Sequence, residues 1–347
     1  MKGIIGMHNH RVGAKNSLAD FLNECLESGV SIVSITDHKT LKTYIEEFPK
    51  LTEAERKKFK DIQIIIGLEM TGMYEYTNIA GQKHEIPMDI LGYNLDLSKH
   101  SLLDKLVSQN YVFTDAPEFQ KKELERLITV AKSLGFKADY DNMHISDKEN
   151  LAARLLSYGL TSPEYKDYNL GKGLLPELVV NPRAFFNRYC KNPDSPFYLD
   201  QTRFNPPVET VIDIIKKCRG DVVLPHVAAY HAKAGNETQI QNAWRDSKKL
   251  AEDFVRDYGI ELSAIEVIHP SYLGNAEFEE FLRNLAAQNN LYVTGGTDYH
   301  QPGEKIAQDV NGNLITTDRL PGLSEWVKTY SIEDIRKTVE KNSKEER

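Results

Sequence analysis

The sequence predicts an α/β protein whose seven strands close into a barrel, with a helical insertion in the middle of the chain. Three observations carry that expectation. Short β-branched runs alternate with helical patterns over residues 1–94 and 206–347, the signature of parallel strands joined by right-handed helical crossovers. Helical periodicity takes over between 95 and 205. Side chains able to ligate a metal recur at the strand ends. An open doubly wound sheet would accommodate the alternation but would spread its outer strand ends apart, whereas a barrel brings every end to one mouth.

In order, GIIGMHNH (3–10) reads as a strand that delivers His8 and His10 to one side, because residues i and i+2 share a face and Asn9 then points away. Ser17 opens an amphipathic run with Asp20 at the capping-box position, and Gly29 stops it. VSIVSIT follows and ends at Asp37 and His38. A helical pattern is broken at Pro49, and Thr52 with Glu55 caps another helix through Phe59. IQIII is the third strand, with Glu69 just past its end, and MDILGY from Met88 is the fourth. The insertion holds helices over Glu118–Leu134, closed by Gly135, and Ser146–Tyr158, closed by Gly159. A helix over Pro207–Cys218 returns to strand DVVLP, which ends at His226. A long helix, Thr238–Tyr258, precedes strand ELSAIEV ending near His269. A helix over Ala276–Gln288 leads to LYVTGG, followed by Asp298 and His300, and a charged helix closes the chain.

Composition narrows the function. The 347 residues can bury a full core, and 51 Asp plus Glu against 43 Lys plus Arg argue against a protein that coats duplex nucleic acid by charge. Cys25, Cys190 and Cys218 are too few and too dispersed for a disulfide framework or a cysteine zinc site. With no secretory signal pattern and no apolar stretch long enough to span a bilayer, the expectation is a cytoplasmic protein without a membrane partner.

His8, His10, His38, Glu69, Asp89, His226, Asp298 and His300 are the candidate metal ligands. One catalytic cation takes about three protein ligands, so this set points to two or three ions. A carboxylate such as Glu69 can bridge two of them, and paired ions activate water and clamp a phosphoryl group. The absence of a nucleophile motif or a Walker loop favours hydrolysis by a metal-bound hydroxide. His84, His100, His144 and His231 read as ordinary loop or surface histidines, and Asp37 as the cap of the turn after the second strand.

MHNH (7–10), ITDHKT (35–40), IGLEMT (66–71), DILGYNLD (89–96), VLPHVAAY (223–230) and GGTDYHQP (295–302) form an ordered set that resembles the PHP family, the polymerase and histidinol phosphatase metallo-phosphoesterases. Within it the chain is most similar to the branch with a helical insertion, which includes nucleotide 3′,5′-bisphosphate phosphatases acting also as 5′-to-3′ exoribonucleases. LAARLLSYG (151–159) and AFFNRYC (184–190) carry that part of the likeness.

The resemblance implies a distorted (β/α)7 TIM-like barrel, with Mn, Fe or Zn at its mouth and the insertion over it. It places His8, His10, Glu69 and Asp298 on a first ion, with Glu69 bridging to a second held also by His226 and Asp89, and His38 and His300 on a third. Lys15, His38 and Asp298 become the catalytic candidates, and Lys15 and Arg154 the substrate contacts.

Four departures separate the chain from the family pattern. Lys15 replaces an Asp, Asp89 replaces a His, Lys148-Glu149-Asn150 replaces an Arg-Pro-His or Arg-Gly-His signature, and His226-Val227-Ala228-Ala229-Tyr230 replaces His-Pro-Gly-Arg-Tyr. The ammonium of Lys15 would repel a third ion, so its absence is expected, and acidic Glu149 predicts an altered nucleotide preference. The expected function is hydrolysis of a small phosphomonoester, a nucleotide phosphate or a short oligonucleotide end. A non-catalytic scaffold or binding module is the alternative. The oligomeric state is left open by the sequence.

Overall fold

The computed structural model describes residues 3–10, 17–112, 116–145, 152–174, 185–190, 194–200, 204–230, 237–300, 302 and 304–345. The chain divides into two compact units, Met1–Asn110 with Asn205–Arg347, and Tyr111–Phe204.

The first unit is built on seven strands: β1 (Ile4–Asn9), β2 (Val30–Ile35), β3 (Gln63–Thr77), β4 (Lys83–Tyr93), β5 (Asp221–Leu224), β6 (Leu262–Ile268) and β7 (Tyr292–Tyr299). Each pairs with its neighbours in sequence, and β7 pairs with β1 to close the ring. Apolar side chains with no exposed surface, among them Ile5, Val33, Ile64, Ile66, Ile90, Val223 and Ile265, supply the burial that holds it. Where β2 and β3 run toward the rim, the single hydrogen of the buried Tyr44 hydroxyl is offered to the Ile35 carbonyl at 2.5 Å, with the Ile65 carbonyl as a second acceptor at 3.0 Å.

The expectation of uniformly parallel strands is corrected at β4. This strand runs antiparallel to both β3 and β5, because only Asn78–Gln82 separate it from β3, too short for a helical crossover. β3 is also longer than its apolar core IQIII. It continues through Glu69, Thr71 and Tyr74 to Thr77, so Glu69 lies inside the strand rather than past its end. Asp89 likewise lies inside β4, opposite Thr71, and the reversed direction of β4 is what sets it beside β3 two residues beyond Glu69.

Helix starts follow the sequence. Ser17 caps Leu18–Glu27 and Thr52 caps Glu53–Lys58, each through a capping box with the acidic residue three positions on. In the second unit, Leu127, Leu156, Leu160, Phe185 and Phe197 gather in a core of their own. The helix there, Ala152–Leu160, runs through Gly159 instead of stopping before it. A Cβ at Gly159 would fall 1.8 Å from the Met143 Cε, the mobile end of a flexible side chain, so this glycine lies in a packed contact and does not terminate the helix.

Gly296 on β7 is the tightest point of the closure. A Cβ there would lie 2.4 Å from His8 Cβ, 2.5 Å from the Met7 carbonyl oxygen and 2.8 Å from Glu266 Oε1. Gly296→Ala should therefore cost about 1–3 kcal/mol, the scale of overpacking a filled core, and displace His8. Chemical denaturation compared with the wild type reads the loss, and an unchanged midpoint would contradict this packing.

Candidate metal centre

His8 and Asp298 face each other at an irregularity in the β1–β7 pairing. Met7 pairs with Gly296 and Asn9 with Tyr299, so two residues of β7 stand opposite one of β1. Both site residues take left-handed backbone, φ 62° at His8 and 52° at Asp298, a conformation His and Asp tolerate better than most residues. Asn9 points away, its amide donating to the Gly6 and Ser34 carbonyls at 2.7 Å each, which ties the bulge to β2.

Glu69 is the centre of the site. Its Oε1 lies 3.4 Å from His8 Nε2 and 3.2 Å from His226 Nε2, and its Oε2 lies 3.3 Å from His10 Nε2 and 3.1 Å from His38 Nδ1. Asp298 Oδ1 faces His8 Nε2 at 3.4 Å, His10 Nε2 at 3.2 Å and His300 Nδ1 at 3.5 Å. His38 is set opposite Glu69 by a bridge that prolongs the β2–β3 pairing, in which Lys39 N–H donates to the Glu69 carbonyl at 2.7 Å.

These spacings suit a cation. Two donors each about 2.1 Å from one ion stand about 3.0–3.4 Å apart at octahedral to tetrahedral angles. His8 Nε2 and His10 Nε2 are buried, aimed at carboxylate oxygens, and make no hydrogen bond. His8, Glu69 and His226 form one group of mutually close donors, His8, His10 and Asp298 a second, and His10, His38 and His300 a third. The charges fit as well. Burial opposes ionisation of Glu69, yet the imidazoles of His8, His226 and His10 hold its pKa well below the usual carboxylate value. Burial opposes a charge on His8 too, but Glu266 and Glu69 raise its pKa well above the histidine norm.

Sequence reasoning missed two members, Glu266 and His269. Glu266 sits with no exposed surface in the apolar strand β6. It accepts from His8 Nδ1–H at 3.2 Å and from the His226 backbone N–H at 3.1 Å. A carboxylate on the second nitrogen of a ligand histidine fixes its tautomer and orientation. The signal was a lone charge in a strand otherwise fit for burial on both sides. His269 follows β6 as His226 follows β5, and its Nε2 lies 3.9 Å from Asp298 Oδ2. Desolvation lowers its pKa to about 3, so the ring is neutral.

The other candidates are more scattered. Asp89 accepts from Thr71 Oγ1 at 2.6 Å and joins no group of three close donors among the described residues; burial and the Glu69 charge raise its pKa. His38 and His300 are half exposed. Arg154 is an exposed residue of the second unit, 5.7 Å above the Tyr158 ring. Lys15, Lys148-Glu149-Asn150 and His231 lie outside the described residues. Asp37 accepts from Thr43 Oγ1 at 2.5 Å, while His84 is on the β3–β4 hairpin and His100 faces the Leu97 carbonyl. His144 is exposed.

No family model matches the chain. It is 24% identical over 306 residues to the 5′-3′ exoribonuclease Rnm of Salmonella typhimurium and, to the same extent, to that of Escherichia coli, covering 86% of this chain and 86% of each relative. The chain resembles these exoribonucleases over most of its length. Among solved structures, an amidohydrolase from Chromobacterium violaceum with bound sulfate and no metal superposes with a TM-score of 0.53, at 17% identity and over 92% of both chains. At that identity the likeness shows a shared fold alone. No described helix is long and apolar enough to cross a membrane.

Proposed function

We propose that the protein is a metal-dependent phosphoesterase acting on a small phosphomonoester or a nucleotide phosphate. The observation that carries the reading is Glu69, each of whose oxygens faces two imidazoles, an arrangement suited to bridging two cations. His8, His10 and Asp298 would hold one ion, His226 with Asp89 a second beyond Glu69, and His38 with His300 a third if three are bound. Divalent ions there supply Lewis-acid polarisation of a phosphoryl oxygen and a hydrolytic water at neutral pH. The chain's own groups prepare the site. Glu266 holds the Nδ1–H of His8 so that Nε2 faces the donors, and His300 donates its Nδ1–H to the Asp298 carbonyl at 2.7 Å. The half-exposed imidazoles of His38 and His300 would meet an arriving phosphate first, above the buried imidazoles of His8, His10 and His226. The similarity to exoribonucleases supports a nucleotide among the substrates.

Elemental analysis of the purified protein with a panel of phosphomonoesters, nucleotide phosphates and short RNA 5′ ends tests the proposal. The expected result is two or more transition-metal ions per chain and hydrolysis abolished by chelation. A metal-loaded protein that hydrolyses no member would instead be a binding module.

Metal uptake should also release protons. His8 and His226 titrate above the usual histidine value, against burial, because Glu266 and Glu69 raise the first and a hydrogen bond donated to Glu69 raises the second. Their protonated forms stabilise the metal-free fold fully below pH about 6.5, and that contribution fades as pH rises through the raised values. A cation competes with those protons, so its affinity should climb over the same interval. Calorimetry in two buffers of different ionisation enthalpy counts them, and identical heats would contradict the shifts.

A further inference from the structure

We infer that His269 is a neutral hydrogen-bond donor that positions Asp298, and not a metal ligand. The inference rests on the metal-centre reading above and adds a residue to it. His269 precedes Pro270 in extended conformation, φ −154° and ψ 148°, and its ring folds back over the turn that follows. There its Nδ1 accepts from the Ser271 backbone N–H at 3.1 Å, taking the place an N-cap oxygen usually has. A backbone amide only donates, and the Ser271 hydroxyl, 2.9 Å from the same nitrogen, can donate as well, so we assign the lone pair to Nδ1 and the hydrogen of the neutral ring to Nε2. His8 is the mirror case. Its Nδ1–H goes to Glu266, which leaves the Nε2 lone pair for a cation.

The Nε2 of His269 is buried, makes no hydrogen bond, and faces Asp298 Oδ2 at 3.9 Å. Asp298 thus divides its oxygens, with Oδ1 turned to His8, His10 and His300 and Oδ2 to His269. A shift of about 1 Å closes the remaining gap to hydrogen-bond length and holds Oδ1 toward the cation. His269 also lies within 4.8 Å of donors on His8 and Glu266. Ligation by His269 through Nε2 would need a lone pair on that nitrogen, which carries the ring's hydrogen in this tautomer. The β6 strand and its turn therefore give the first ion's ligands two partners that never touch the metal, Glu266 for His8 and His269 for Asp298.

The test uses the full chain labelled with 15N-histidine, metal-free and zinc-loaded, with the His269 signals assigned from their loss in His269→Gln. Long-range proton–nitrogen spectra should show the Nε2–H tautomer at His269 in both states, with no zinc-induced change of Nε2, while His8 and His10 respond. Zinc affinity should fall about 10- to 100-fold in His269→Leu and be largely rescued in His269→Gln, whose amide can still donate. An Nδ1–H pattern, or a zinc-induced shift of His269 Nε2, would make it a ligand and overturn the inference. Equal zinc affinity in His269→Leu and wild type would overturn it too. If His269→Leu does not fold, the wild-type spectra decide. Failure of the phosphoesterase reading would appear separately, as zinc-loaded protein without turnover and with these metal results intact.

Discussion

Glu69→Gln should bring bound metal below one ion per chain and lower kcat/KM for the best phosphoester by at least about 1,000-fold, since it removes the charge that the proposed site would share between two cations. The amide keeps the shape of the side chain but offers at most one oxygen, and its nitrogen repels whatever stands between His10 and His38 or between His8 and His226. The fold should survive. The imidazoles around the lost charge can shed their protons, so no uncompensated buried cation remains, as it would if Glu69 paired with an arginine. Metal content by elemental analysis and secondary structure by circular dichroism check both halves, and a variant that keeps two ions would refute the bridging role.

Asp298→Ala should lower metal content and phosphoesterase rate by about 100- to 10,000-fold with a nearly unchanged circular dichroism spectrum, because the side chain projects from the barrel rim and not into its core. The backbone adds a second effect. At φ 52° alanine is strained, whereas asparagine tolerates left-handed conformation about as well as aspartate. Asp298→Asn should therefore lose as much activity as Asp298→Ala but be about 1 kcal/mol more stable to denaturant. Full activity in either variant would remove Asp298 from the site.

Much of the site was legible because its residues sit in local patterns that the barrel only has to gather. His-x-His at 8–10, Asp-x-His at 298–300 and His226 after DVVL announce themselves by spacing and position, and the structure brings all of these side chains within reach of Glu69 or Asp298. Strand direction was less legible. MDILGY has the same apolar content read either way, and taking β3 to end at Ile66 hid the alternation of Met70, Gly72, Tyr74 and Tyr76 that carries it on to a tight turn. Glu266 and His269 were missed for different reasons. A buried carboxylate in the middle of a strand has no motif, only an energetic demand for a partner. The role of His269 depends on the Ser271 amide folding back onto its ring, which no spacing encodes.

The hairpin of β3 and β4 also sets an order of assembly. These strands meet across Asn78–Gln82, whereas the ring closes only when Met7 finds Gly296 from the other end of the chain. Contacts so distant in sequence form late, after loop entropy has been spent on the nearer ones. His8, His10 and Asp298 belong to that last seam, so a cation recognises the finished ring and gives little to the species that precede it. Ligation made after the folding barrier slows escape from the native state and leaves the forward rate alone. The same ions proposed for hydrolysis would then act as a latch on the barrel, setting its lifetime more than its speed of formation.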